Sequence, residues 1–473
     1  MKTRFFFLIG VLIFISLGCN LFIRNQGNIV YQAVDKDGEA LPELVILDSK
    51  GTEKSRIDLP DKDTRFYPYR IPIQGRVFFQ DPFNEQWFLF DVAEGNFTDY
   101  DGFGDAEDSA QPCSSGANWV LLCGGSQGLY LLETESGDVA EIDIPSDPNS
   151  VVPLFPQQIL VNPDETYILL GIRNERWLVE FANPDDPRKL GNEGYVGNAA
   201  FSDDGKSILY SQITEDRETL VFKEQIDGSD SEEIFSNSKI DRVYFVPKHD
   251  QLVLAYRDAI SLFSLDDEEE MELFEIDDIA REVHFDPAGE KALFGVGGFK
   301  NETITWTYAD LKTGKSETLD DLDGYVRAYS PALHLSRWFF LTDAISSQMS
   351  DGSEANIASL DLETGQVREQ VTIEDAIFFD FVAFSEDGRV ALVIVFTKDG
   401  AQLWLLQADQ EDAELLAEEK SVSGSLSPDG RWVVVGEMEK DGDRTKTTIK
   451  LVSTKDGEET KIGAGLMPIW VQP

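Results

Sequence analysis

The sequence is short of histidine, of cysteine and above all of positive charge. Its 473 residues hold three histidines and three cysteines, and 40 lysines and arginines stand against 88 aspartates and glutamates, a net charge of −48. The deficit of basic residues excludes nucleic acid as a partner, because phosphate binding needs a basic stripe. His249, His284 and His334 lie at no spacing that argues for a metal or a catalytic triad; His249 falls in a polar turn and His284 in a strand. No long tract of Pro, Ser or Gln marks a disordered half, and 42% apolar content with 11% aromatics can build a sizeable core. The carboxylates read first as a solvated acidic surface, and second as a means of holding divalent cations or a cationic partner.

The N-terminus is a different composition. Lys2 and Arg4 precede the uncharged run Phe5–Ile15, the charged and hydrophobic regions of a secretory signal. The ending Ser16-Leu17-Gly18-Cys19 resembles the lipobox of bacterial lipoproteins, in which the cysteine is diacylated and becomes the mature N-terminus. Ser16 departs from the leucine usual there. Two readings compete with it: an uncleaved anchor, since Phe5–Ile23 approaches the length needed to cross hydrocarbon, and a plain cleaved signal. On the lipoprotein reading residues 1–18 are removed, 19–27 form a lipidated tether, and the product is membrane-anchored at the cell envelope. Cys113 and Cys123 then remain. Ten positions apart in an oxidising compartment, they can close a small disulfide loop, or they are two unrelated thiols.

From residue 28 onward one phrase recurs: an apolar strand, a polar turn, a strongly apolar strand, a gap, an alternating strand, a glycine turn and a short polar strand. The clearest copies of the first turn are Ser202-Asp203-Asp204-Gly205, Ser385-Glu386-Asp387-Gly388 and Ser427-Pro428-Asp429-Gly430. Gly supplies the positive φ that a tight reversal wants. Equivalent turn positions are spaced by 40 residues (Pro163 to Asp203) up to 55 (Pro331 to Glu386). That period, with four short strands per unit, predicts an all-β propeller of four-stranded antiparallel blades. The strands after the turns, such as Trp432–Val435 and Val390–Phe396, are apolar on both faces and therefore read as buried between neighbouring sheets. Third-strand hairpins, from Leu44–Leu47 to Ile449–Val452, give a count of about ten units. The first unit has no innermost strand of its own. Gly465–Val471 has no unit to complete, so the two are expected to pair and close the ring.

At Ser427-Pro428-Asp429-Gly430-Arg431-Trp432, with Asp204-Gly205-Lys206 and Asp387-Gly388-Arg389 as further copies, the chain resembles the WD-like repeats of the Tol-associated periplasmic propeller (TolB-like) family. The resemblance spans nearly all of residues 28–473 and is specific for fold alone. It implies an interaction role in the envelope; members range from scaffolds to peptidase-associated domains.

Few motifs suggest chemistry. Gly124-Gly125-Ser126-Gln127-Gly128 spells G-x-S-x-G, but a strand follows where a nucleophile elbow needs a helix, so a hairpin turn is the better reading. Gly295-Val296-Gly297-Gly298 reads as a turn for the same reason. The insertion at residues 99–108 places Asp99, Asp101 and Asp105 near glycines, as a calcium loop would, without the EF-hand spacing; a solvated loop is preferred, with calcium as the alternative. Asp266–Glu270 is an acidic turn. With so many acids, paired carboxylates for glycoside hydrolysis occur by chance. The expectation is a monomeric, non-enzymatic envelope lipoprotein whose propeller binds a protein partner. The alternative is a propeller enzyme or ligand-binding protein with a carboxylate-lined central site, calcium-dependent or not.

Overall fold

The Ser-x-Asp-Gly turns fold as one small device repeated along the chain. In each, the serine Oγ donates to the aspartate Oδ1 and accepts from the backbone N–H five residues on: Ser202 with Asp204 and Ser207, Ser385 with Asp387 and Val390, Ser427 with Asp429 and Trp432. The aspartate also accepts the N–H of the basic residue after the glycine, at 3.1 to 3.2 Å. Gly205, Gly388 and Gly430 sit at φ of 67°, 67° and 69°, which a side chain would strain. Each turn thus reverses the chain with the N–H groups after its aspartate held by the serine and aspartate side chains and the serine carbonyl, and the next strand starts in fixed register.

The computed structural model describes residues 27–472, apart from 70–72, 82–85, 101–110, 117, 125–127, 146–155, 157, 173–174, 192–194, 298–303, 323–324, 326, 330–337, 343–352 and 442–443. The described chain is almost wholly strand, arranged as nine antiparallel sheets in which sequential strands are neighbours. In chain order these are sheet 1 (28–58 with 465–471), sheet 2 (67–100), sheet 3 (111–142), sheet 4 (158–189), sheet 5 (195–237), sheet 6 (242–275), sheet 7 (280–318), sheet 8 (327–419) and sheet 9 (421–463). Eight have four strands. Sheet 8 has seven, because Gln366–Phe384 runs unbroken from the last strand of one unit into the first strand of the next. This departs from separate four-stranded units, and the cause is local: QVREQVTIEDAIFFDFVAF contains neither Gly nor Pro. Asp375, at φ 55°, marks where the strand changes partners, from Ser353–Asp361 to Val390–Thr397.

Sheet 1 is built from both ends of the chain. Asn28–Val34 pairs on one side with Ala40–Asp48 and on the other with Gly465–Val471, with Ile29 opposite Trp470 and Val30 opposite Ile469. Gly465 is required there, since a Cβ would come within 2.2 Å of the Tyr31 ring.

The core is a series of thin apolar layers between sheets. One layer joins sheets 1 and 2, another sheets 2 and 3, and so on through sheet 9, including one between the two halves of sheet 8. A tenth joins sheet 9 back to sheet 1 through Val434, Ile449 and Leu451 against Ile29, Tyr31 and Trp470. The stretch Trp432–Val435 shows why its sequence is apolar throughout: Val433 and Val435 pack toward sheet 8 while Val434 packs toward sheet 1. Alternate side chains point to opposite faces, and both faces are covered.

Candidate functional site

The first strand of each sheet has a neighbour on one side only, so its other edge carries backbone groups that need partners. Side chains of the preceding sheet supply several. Gln158 of sheet 4 donates to the Ala199 carbonyl of sheet 5, Asn198 of sheet 5 to the Val243 carbonyl of sheet 6, and Arg242 of sheet 6 to the Arg281 carbonyl of sheet 7. Tyr244 adds a bond to Ala280, and burial raises its phenol pKa. At the other end of the series Ser425 of sheet 9 accepts the Trp470 N–H, and the Gln472 carbonyl accepts the Gly75 N–H of sheet 2. The first strands therefore crowd together along an inner edge, and their polar side chains hold sheet to sheet.

This edge is not acidic. Among the described residues of the first strands the carboxylates are Glu282 and Asp380, alongside Arg242, Arg281 and Arg327. Glu282 faces His284 at 3.2 Å, and the imidazole leans on Phe339 with ring centroids 5.1 Å apart. The last strands differ: Glu270–Glu275 of sheet 6 and Glu414–Glu419 of sheet 8 each carry three glutamates. The charge of the protein sits on outer strands and turns.

A cavity of about 370 Å³ opens where sheets 8, 9, 1 and 2 meet. Tyr69, Phe381, Phe384 and Trp470 form its aromatic walls, and Arg76 and Glu386 are its charged residues. Arg76 is engaged by Asp91 at 3.2 Å and by the Thr134 carbonyl at 2.7 Å. Burial raises the Tyr69 pKa, so its hydroxyl stays neutral at physiological pH. The cavity has the size and apolar lining of a small-molecule site.

Large apolar side chains reach solvent on several strands, among them Val139, Met271 and Leu415 on last strands. Tyr67 and Tyr195 open the first strands of sheets 2 and 5. Ile377 and Phe378 open the stretch of Gln366–Phe384 that pairs with Val390–Thr397, and Phe396 lies directly opposite Phe378. The three in sheet 8 are 39%, 38% and 44% exposed, and the two phenylalanine rings are 5.8 Å apart. Val390–Phe396 was expected to be buried on both faces. Phe396 corrects that: it is exposed beside Phe378 at the end of a strand whose Val393 and Val395 are buried.

Of the residues singled out by sequence, Cys113 and Cys123 are brought together. Cys113 occupies an irregularity between Pro112 and Ser114 opposite the strand that holds Cys123, and the Cα atoms are 5.7 Å apart, a separation that a disulfide spans. Asp99 accepts both amide contacts of Gln86 at 2.9 Å. Cys19, Asp101, Asp105, Ser126 and His334 lie outside the described residues. Gly124 and Gly128, which flank Ser126, are strand partners across a hairpin. His249 sits in the turn between Phe245 and Gln251, its Nε2 2.9 Å from the Ala288 oxygen. Gly295 and Gly297 belong to the strand Lys291–Gly297, not to a turn. A Cβ at Gly295 would stand 3.0 Å from the Trp306 ring, so this glycine admits an indole to the core. Among the described residues no group of three His, Cys, Asp or Glu could hold a metal ion, and no helix is long and apolar enough to cross a membrane. The exposed rings of sheet 8 and the cavity were missed because both depend on which strand lies beside which.

No family model matches the chain. No curated protein matches it either. Among solved structures it is similar to a eukaryotic initiation factor (11% identity, 94% of this chain and 98% of that one, TM-score 0.49). It is also similar to an oligogalacturonate lyase from Vibrio parahaemolyticus (10%, 91% and 100%, 0.41) and to a protein described as TolB from Agrobacterium tumefaciens (14%, 50% and 85%, 0.35). Such distances say nothing of what this chain does. The resemblance to the Tol-associated family rests on its turns.

Proposed function

We propose that this chain is an exported propeller of ten blades, closed by its two terminal strands, tethered through a lipid on Cys19, and acting without chemistry as a protein-binding scaffold at the cell envelope. The ten apolar layers that lead from sheet 1 back to sheet 1 support the closed ring and its count. One observation carries the binding role: Ile377, Phe378 and Phe396 expose large apolar surface together in sheet 8, with the two rings 5.8 Å apart, in an otherwise acid-rich protein. Soluble proteins seldom leave such groups clustered in water unless another surface covers them. A disulfide between Cys113 and Cys123 fits the oxidising compartment that this reading requires.

The test is a crosslinking pull-down from native membranes with a photoreactive residue at position 378 or 396, alongside mass spectrometry of the N-terminal peptide. The proposal expects a specific protein adduct and a diacylated Cys19. No adduct at either position would end the scaffold reading, and an intact Met1 terminus would end the lipid tether. A second reading, a ligand-binding propeller, is favoured by the aromatic cavity at the meeting of sheets 8, 9, 1 and 2.

A further inference from the structure

The paired rings of sheet 8 are followed and preceded in sequence by exposed carboxylates, a local acidic collar on an otherwise mixed edge. Along the strand, Glu374, Asp375 and Asp380 flank Ile377 and Phe378, and Asp399 follows Phe396 by three residues; all are exposed. Lys398, the nearby cation, faces Asp375 at 3.6 Å. Rings of this kind serve as anchors in interface cores, where aromatic side chains carry much of the binding energy. Carboxylates around them set which partner is admitted. The long-range field agrees with the local one, since a protein of net charge −48 repels anionic surfaces and steers cationic ones inward.

We infer that Ile377, Phe378 and Phe396 form the docking site for a basic amphipathic segment of a partner protein, its apolar side chains against the two rings and its Lys or Arg side chains against Asp375, Asp380 and Asp399. This rests on the scaffold reading and adds the chemistry of the partner. An anionic lipid surface could meet the rings but not the collar, because like charges would face each other.

Fluorescence anisotropy with the full chain in neutral detergent provides the test, using a short synthetic peptide that alternates arginine with leucine and phenylalanine. Saturable binding is expected, weakening as salt is raised, with none for the same peptide carrying glutamate for arginine. Phe378→Ser and Phe396→Ser should each weaken it by about tenfold or more. Asp380→Asn and Asp399→Asn should weaken it about threefold and flatten its salt dependence. These positions are exposed, so unchanged melting temperatures will show that the variants fold. Equal binding of the acidic peptide, or full binding by Phe378→Ser, overturns the inference. So does Phe378-dependent binding to phosphatidylglycerol vesicles in place of the peptide. The membrane crosslink separates the two claims: an adduct at position 378 whose contacting segment is not basic leaves the scaffold standing and removes this partner chemistry.

Discussion

The joint inside sheet 1 and the joint inside sheet 8 are opposites in covalent terms and alike in packing. Within sheet 8 a single strand, Gln366–Phe384, carries the chain from one unit into the next. In sheet 1 the strands Asn28–Val34 and Gly465–Val471 are neighbours in the sheet and stand at opposite ends of the chain. Both joints are nevertheless filled the same way, by Trp338, Phe340, Phe379 and Val393 in sheet 8 and by Ile29, Tyr31, Val434 and Trp470 at the seam. The chain passes from sheet 9 into sheet 1 through Ala464, so only the pairing of Gly465–Val471 with Asn28–Val34 has no covalent link across it. A joint without covalent continuity must depend on its side-chain layer and on its register alone.

That difference can be broken first by deletion. Removing residues 466–473 takes away the first strand of sheet 1 and uncovers Val30, Ile46 and Val434, so the truncated protein should aggregate or melt far below the parent in differential scanning calorimetry. A sharper contrast comes from single side chains. Trp470 is 6% exposed and Phe379 1%, and truncating either to Ala should cost about 3–5 kcal/mol. The loss at Trp470 should also raise the hydrogen exchange of the whole Gly465–Val471 strand. The loss at Phe379 should stay local, since its strand is tied at both ends.

Sheet 3 lies away from both joints and supplies the control. Reducing a Cys113–Cys123 link, which closes a loop of ten residues, should cost about 2–3 kcal/mol on the chain-entropy view. It should leave exchange at the seam unchanged; free thiols in peptide maps of envelope-purified protein would remove the link. The smallest effect concerns the turns. The Ser202 hydroxyl, then the Lys206 N–H, hold the Asp204 carboxyl below its usual value. A lowered carboxylate adds stability above the unfolded value of about 3.9, and this is lost as pH falls through the folded value. Asp204→Asn should therefore melt slightly below the parent above about pH 5, with the gap shrinking as pH falls through the folded value, a trend read from melting curves.

The sequence revealed what local chemistry decides. Ser-x-Asp-Gly names its own hydrogen-bond network, so the turns at 202, 385 and 427 and the strands after them were legible. An orphan first unit and an unplaced Gly465–Val471 likewise pointed to each other. The merger in sheet 8 was not legible, because a run such as 366–384 with no Gly or Pro hides where one pairing ends. Nor was the exposure of Phe396, which looks like its buried neighbours Val393 and Val395 until its place opposite Phe378 is known. The mixed, slightly basic inner edge was hidden beneath a total charge that describes the outer strands.

Amide hydrogen exchange of the full-length parent tests closure through the seam most directly, since it needs no substitution. If the ends close the structure, Ile469, Trp470 and Val471 should exchange in the slowest class together with Leu44–Leu47, on the time scale of global unfolding. Exchange of those three amides as fast as that of the exposed turn Asp266–Glu268 would show that the last strand is not held, and the closed ring would fall with it.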